Sequence, residues 1–136
     1  MNINDIRKDL EIMVDGQPHV VIDVEHVKPL KAPPFAHVRI KNIETGNVRH
    51  HTFRQHDKLE LADVEHHQLQ FVTRIEEDLV FNDITSGEML RVPVDKIDRG
   101  IVSAFEAMDD DYADGIMFKG RLISVDISSF LNKMNQ

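Results

Sequence analysis

Two primary amines, Lys28 and Lys31, stand three residues apart among three prolines in the run Lys28-Pro29-Leu30-Lys31-Ala32-Pro33-Pro34-Phe35. Proline fixes φ and biases the residue before it toward extended backbone, so the run is a stiff connection rather than a floppy one. On either side lie segments that read as β-strands: the β-branched, apolar His19 to Val27 upstream, and the alternating His37, Val38, Arg39, Ile40, Lys41 downstream. A stiff hairpin tip carrying amines is suited to delivering positive charge some distance from the barrel that supports it. Taken alone, the eight residues read most simply as a solvated basic loop. The rest of the chain argues for more.

Other chemistry is poorly supported. His50-His51 and His66-His67 invite a metal, but adjacent residues on a strand point to opposite faces. No HxH or HExxH spacing accompanies them, and with no cysteines in the chain no thiolate can complete a tetrahedral site. Scattered surface histidines are the expectation, and no metal. Carboxylates for acid–base work could come from Asp109 to Asp111 or Glu76 to Asp78. Both runs fall in expected turns, where carboxylates stay hydrated, whereas catalysis needs a pKa moved by burial or a neighbour. With no glycine-rich phosphate loop, GxSxG or nucleophile–base pair visible, the chain reads as a non-enzyme with no catalytic residue and no cofactor. Aromatic content of 6%, without tryptophan, is poor for stacking on single-stranded nucleic acid.

The elements that must position the tip are short strands. Glu11 to Val14, the turn Asp15-Gly16 and His19 to Val27 form a hairpin, since Asp-Gly is a strong two-residue turn signal. Phe35 to Ile43, a turn at Glu44 to Asn47 and Val48 to Phe53 follow. A helical turn near the N-terminus is expected to be capped by Asn4 or Asp5. About four strands with polar turns at short intervals indicate a small β-barrel. The pattern changes near Lys58 to Ala62, and a second series begins: strands at Glu65 to Thr73, Leu79 to Asn82 and Met89 to Val92, with Pro93 marking an end or an edge. A helix is expected over Val94 to Ala107, ended by the acidic run from Asp109, although Gly100 inside it costs about 1 kcal/mol of propensity. Asp114-Gly115 and Lys119-Gly120 are expected to bracket a short strand before Leu122 to Ile127. Five strands with one helix between the third and fourth is the order of an OB-fold. The fold class is therefore all-β, with a domain over 1–62, an OB-fold over 63–130 with one short helix, and a tail over 131–136.

Charge divides the chain the same way. Met1 to Glu60 holds nine Lys/Arg and nine Asp/Glu, while Leu61 to Gln136 holds seven against fifteen and so carries the whole net charge of −8. Within the first half, His26 to Lys58 has seven basic residues against Glu44 and Asp57. Such asymmetry suggests one face for an anionic partner and another kept away from it. No apolar run reaches the ~18 residues of a membrane span, the N-terminus has no signal-peptide pattern, and the absence of cysteine fits a cytoplasmic home.

Residues in order along the chain resemble bacterial translation elongation factor P. They are Asp15-Gly16, His26-Val27-Lys28-Pro29, Lys31, Phe35, Lys41-Asn42, Thr45-Gly46 and Thr52-Phe53-Arg54, then Leu69-Gln70-Phe71, Val80-Phe81-Asn82-Asp83, Val92-Pro93 and Gly120 to Val125. The likeness runs from about Asp5 to Phe130, and it is the ordered set rather than any one piece that is specific. It implies an N-terminal SH3-like (KOW-type) barrel followed by an OB-fold barrel. It further implies a ribosome-binding factor that sits between the peptidyl and exit sites. There the Lys31 tip would reach the peptidyl-tRNA acceptor end and relieve stalling at consecutive prolines. The resemblance makes Lys31 the tip residue and a candidate modification site for a lysine-modifying enzyme, and it makes Lys28, Pro29, Lys31, Arg39, Lys41 and Arg54 the RNA-binding set. A monomer without membrane contact is expected.

Two departures stand against the family pattern. The usual tip is close to Pro-Gly-Lys-Gly, whereas here it is Pro29-Leu30-Lys31-Ala32, so a modifying enzyme that reads flanking glycines need not accept it. Bacterial members usually carry a third domain, for which this chain has no counterpart before Gln136; two domains are typical of the hypusine-bearing archaeal and eukaryotic relatives. The alternative reading is a paralogue that serves as an RNA- or protein-interaction module without stall relief.

Overall fold

In the computed structural model, which describes residues 2–107 and 112–127, Asp15 and Gly16 both take positive φ, 53° and 76°. Two such residues in succession make the turn whose twist matches that of the strands it joins, and glycine supplies the second without steric cost. The turn links β1 (Glu11–Val14) to β2 (Gln17–Val27), and β3 (Phe35–Asn42) and β4 (Val48–Arg54) continue the antiparallel meander. A two-residue β5 (Glu60–Leu61) returns to pair with Ile12 and Met13, giving the sheet order β4-β3-β2-β1-β5. The sequence expectation of about four strands omits β5, because two exposed residues carry no alternation to detect. The N-terminal turn (Ile3–Asp5) is capped by Asn2 rather than by Asn4 or Asp5. The Asn2 side chain accepts from the Asn4 amide at 3.0 Å, and Asp5 Oδ2 accepts from the Asn2 amide at 2.9 Å.

The strict alternation of β3 decides its register. Ala36, Val38, Ile40 and Asn42 are buried while His37, Arg39 and Lys41 face solvent. The inner row packs against Ile6, Ile12, Val21 and Phe53. Burying a Val or Ile side chain is worth roughly 1.5–3 kcal/mol, so a one-residue slip exposing Val38 and Ile40 would lose about 3–6 kcal/mol. That is a large share of the 5–15 kcal/mol that holds a typical domain together. The exposed row is therefore fixed by the buried one.

Contacts divide the chain into two units, Met1–Asp63 and Val64–Gln136. In the second, β6 (Val64–Ile75), β7 (Asp78–Asp83) and β8 (Met89–Pro93) precede a helix, and β9 (Tyr112–Phe118) and β10 (Arg121–Ile127) follow it. The sheet order is β10-β9-β6-β7-β8, with Pro93 ending an edge strand. The fold is all-β, with one short helix placed as an OB-fold places it. Leu69, Leu79, Phe81 and Ala113 are fully buried, and Phe71, Phe81 and Phe105 form a ring cluster with centroids 5.6–5.9 Å apart.

Two local expectations are corrected here. The helix does not start at Val94: a 3-10 turn (Val94–Lys96) is followed by extended Ile97, and α1 (Arg99–Ala107) begins only after Asp98. Asp98 Oδ1 accepts from the Gly100 amide at 2.8 Å and its carbonyl accepts from Val102, so Asp98 acts as the cap. Val94 and Ile97 kept helical spacing with Ile101, Val102 and Phe105 because both pieces pack on the same core. Asp114-Gly115 is likewise no turn but the middle of β9, between Gln68 and His67 of β6 and Asp126 and Val125 of β10. Glycine is there for space, since a Cβ on Gly115 would lie 2.8 Å from Leu69 Cδ1 and 3.0 Å from Leu122 Cδ1. The acidic run Asp109 to Asp111, the end of the OB domain at 130 and the tail 131–136 lie outside the described residues.

Because Leu69 is fully buried it has little room to yield. Gly115→Ala is therefore expected to destabilise the second unit by about 1–3 kcal/mol, as overpacking does. A urea or thermal melt followed by the aromatic cluster would show it, and an unchanged midpoint would mean that the core gives way freely.

Candidate functional site

The ladder between β2 and β3 runs from His19↔Asn42 to Val27↔Phe35, and the chain beyond that last rung is the seven-residue tip 28–34. Three residues a side at ~3.3 Å each let the apex stand roughly 10 Å beyond the sheet. Leu30 is fully exposed at the apex, Lys28 and Lys31 are exposed, and Pro29 and Pro34 are half-buried at the base. Among the described residues neither the Lys28 nor the Lys31 ammonium makes a hydrogen bond or ion pair. The amine at position 31 is not folded back onto the protein.

The remaining basic residues are distributed rather than clustered. Arg54 faces Phe35 across β3 and β4, so it lies at the tip end with Lys28; Arg39 faces His50 in mid-sheet; Lys41 faces Val48 at the opposite end. Six residues of strand separate Phe35 from Lys41, about 20 Å. All three cations are exposed on the outer face and, among the described residues, none is ion-paired through its side chain. Arg49, counted in the basic stretch, is instead paired with Asp15 at 2.6 Å. The linear charge count also stopped short of Asp23 and Glu25, which fold next to this row: Asp23 lies opposite Arg39, and Glu25 opposite His37. The outer face is thus mixed in sign, and at the tip end too a carboxylate is present, with Asp57 Oδ2 accepting from the Arg54 amide at 2.8 Å.

Residues 2–59 match the elongation factor P (EF-P) KOW-like domain. An elongation factor P from Desulfovibrio desulfuricans is 34% identical over 125 residues, 90% of this chain and 65% of that protein. One from Aquifex aeolicus is 34% identical over 127 residues, 93% of this chain and 65% of that protein. The first unit thus carries the elongation factor P KOW-like domain, and the chain is similar to elongation factor P over nine tenths of its length. A solved structure titled eukaryotic translation initiation factor 5A from Methanococcus jannaschii covers 94% of this chain and 92% of its own, with a TM-score of 0.67 at 20% identity, and shares its fold. The chain spans 49% of the length of an elongation factor P from Persephonella marina, to which it is 41% identical over 93 residues, and about two thirds of the other two.

In this chain the histidines are not all surface residues. His19 is buried with Nδ1 2.9 Å from the Gln17 carbonyl; His26 is exposed, though its Nε2 lies 3.0 Å from the Ile6 carbonyl. His67 departs furthest from the expectation. Its Nδ1 lies 2.7 Å from Asp83 Oδ2 and its Nε2 3.0 Å from Glu65 Oε2, with the Asp83 side chain only 2% exposed. A ring that donates from both nitrogens must be the imidazolium. The hydrogen bond to Asp83, followed by that to Glu65, holds the His67 pKa above its ordinary 6.5. Burial pushes the Asp83 carboxyl up, but the bonds from His67 and Ser86 outweigh it and leave the group below its ordinary 3.8. Position 83 reads in sequence as one more acid on an acidic domain; no spacing rule marks its pairing with His67, sixteen residues away. Glu76 to Asp78 holds two paired groups: Asp78 accepts from Arg91 Nε at 2.7 Å, and the exposed Glu77 lies 3.6 Å from the Arg74 guanidinium. Among the described residues no three His, Asp or Glu side chains are grouped to hold a metal ion.

The two shifts have opposite pH signatures. The His67 contribution is complete below 6.5 and lost as pH rises through its raised value, while that of Asp83 is complete above 3.8 and lost as pH falls through its lowered value. His67→Ala is expected to cost the second unit about 1–3 kcal/mol near pH 5.5, the size of a charge-assisted hydrogen bond, and less toward both extremes. Urea titrations of both proteins across pH 3–9 would show the difference; a pH-independent gap would contradict the assignment.

Proposed function

We propose that the chain is a ribosome-binding translation elongation factor that promotes peptide bond formation at stalled, proline-rich sequences. The observation that carries this reading is Lys31 itself: an exposed ammonium, without a hydrogen bond or ion pair among the described residues, on a proline-bounded tip whose base is locked by the Val27↔Phe35 rung. The relatives' names, elongation factor P, support the role in translation. The factor works in the cytoplasm, as a monomer, and has no covalent chemistry of its own. It places the Lys31 tip beside the peptidyl-tRNA acceptor end and holds that end in a reactive geometry, lowering the entropic part of the barrier. Each 1.4 kcal/mol removed in this way is about tenfold in rate, so one well-placed contact is enough to matter.

Lys28, Arg39, Lys41 and Arg54 serve as sequence-independent phosphate contacts, and Pro29 stiffens the approach to the tip. Lys31 is also the side chain that a lysine-modifying enzyme would reach. The rigid Leu30 and Ala32 flanks in place of glycines favour a tip that works with the lysine it is born with. Lys31→Ala is expected to abolish relief of stalling on a triproline reporter in a reconstituted translation system while leaving proline-free synthesis unchanged. Equal relief by the variant would overturn the role of Lys31.

The second reading, an interaction module without stall relief, is favoured by the carboxylates Asp23 and Glu25 on the outer face, which weaken a uniform phosphate-binding surface. Co-sedimentation separates the two. Association with ribosomes at low salt that falls steeply as salt rises is expected of the translation factor, and no association at low salt would leave only the module.

A further inference from the structure

The outer face of the first sheet holds a concavity of about 120 Å3 lined by Asp23, Glu25, His37, Arg39 and His50 over Val38. Strand register builds it. Asp23, Arg39 and His50 form one cross-strand row, and Glu25, His37 and Thr52 the next. Side chains directly opposite share a face, and rows two residues apart are about 7 Å from one another. His37 is pinned: Nδ1 lies 3.0 Å from Thr52 Oγ1, and its ring meets Phe35 edge-on at 4.9 Å and 75°. Arg39 and Asp23 are opposite in register yet form no ion pair, and among the described residues neither Glu25 nor the Arg39 guanidinium has a hydrogen bond. Asp23 Oδ1 accepts from the Val24 amide at 3.0 Å, which leaves Asp23 Oδ2, the Glu25 carboxylate and the Arg39 guanidinium open to a third party.

A simple anion would meet Asp23 and Glu25, and a simple cation would meet Arg39, so neither fits. The matching ligand presents a hydrogen-bond donor and an acceptor a ring's width apart on a flat body. A nucleobase with an exocyclic amine does this: carboxylates accept from such amines, a guanidinium donates to the neighbouring carbonyl, ring nitrogen or phosphate oxygen, and imidazole and guanidinium planes stack on unpaired bases. Uracil, which has no exocyclic amine, does not.

We propose that this concavity binds a single unstacked RNA base bearing an exocyclic amine, with Asp23 and Glu25 accepting from the amine and Arg39 donating to an acceptor on the same nucleotide. The inference rests on the reading of this domain as the RNA-facing one. It makes the two carboxylates recognition groups instead of defects in a basic surface.

The test uses the full chain and three RNA tetranucleotides, tetracytidylate, tetra-adenylate and tetrauridylate, with affinities from NMR titration at low salt. The C and A oligomers are expected to bind about tenfold more tightly than the U oligomer, the discrimination one good base contact gives, with shifts centred on His37 and Arg39. Asp23→Asn with Glu25→Gln removes the preference while keeping residual U binding, and Arg39→Ala weakens all three. Glu25→Gln alone, on an exposed strand position, halves the design change if the double variant is poorly folded, and it too must reduce the preference. Equal affinity for C, A and U, a preference that survives in the carboxylate variants, or no binding to any of the three would overturn the proposal. The oligonucleotide preference and the triproline reporter are separate readouts, so a failure of the tip's role in translation and a failure of the base site give different results.

Discussion

The antiparallel ladder between β2 and β3 is the constraint on which the rest of the first domain depends. It fixes two things at once. Its last rung, Val27↔Phe35, sets where the tip begins, and its register sets which side chains of β3 face outward. Both follow from Ala36, Val38 and Ile40 being driven inside, because period-two geometry leaves His37, Arg39 and Lys41 no other face. The tip needs no packing of its own. Three prolines limit its backbone freedom, so less entropy is left to lose when it meets a partner.

A rigid arm carrying an unpaired amine suits a factor that orients another molecule's reactive groups. Positioning catalysis asks for geometry and a modest electrostatic gain. The groups whose protonation the fold does perturb, His67 and Asp83, lie in the other domain and serve a turn. Perturbed titration often marks a catalytic centre. In this chain it marks a structural bond, which agrees with a protein that works by contact.

What the sequence made legible was whatever local chemistry determines. Asp15-Gly16 dictates its turn through two positive φ values, the alternation from Phe35 to Asn42 dictates a half-buried strand, and the prolines dictate a non-helical connection, which bends at Leu30 to Ala32. What it hid was whatever depends on a distant neighbour. β5 exists because Met13 and Ile12 offer an open edge, not because Glu60-Leu61 prefers extended backbone. Gly115 looks like a turn residue until the Leu69 and Leu122 side chains are seen against it. The break at Ile97 is invisible because both sides of it feed one apolar cluster. For the candidate site, the tip lysine was readable from its run. The carboxylates beside Arg39 were not, since Asp23 and Glu25 precede the basic stretch in sequence and join it only through strand pairing.

The two domains end a strand with the same turn, built on Asn42 in one and Asp83 in the other. In each, side-chain Oδ1 accepts from two amides, those of Glu44 and Thr45 at 2.9 and 3.0 Å and those of Thr85 and Ser86 at 3.0 and 3.1 Å. In each, the backbone amide donates to the residue five places on at 2.8 Å, Asn47 or Glu88. In each, a hydroxyl on the fourth residue, Thr45 or Ser86, accepts from the sixth. The difference is the one side-chain atom left over. Asn42 Nδ2 donates to Gln17 Oε1 at 2.7 Å, a neutral bond, whereas Asp83 Oδ2 accepts from His67, a charged one. Asparagine and aspartate present the same oxygen to the turn, so the backbone requirement does not choose between them. The partner does: Gln17 Oε1 needs a donor, which an amide at position 42 supplies and a carboxylate cannot. At position 83 the partner is an imidazole, and the buried carboxylate gains a stronger bond from its charged form. One turn geometry is thus kept in both domains while its charge is set by the side chain that meets the leftover atom.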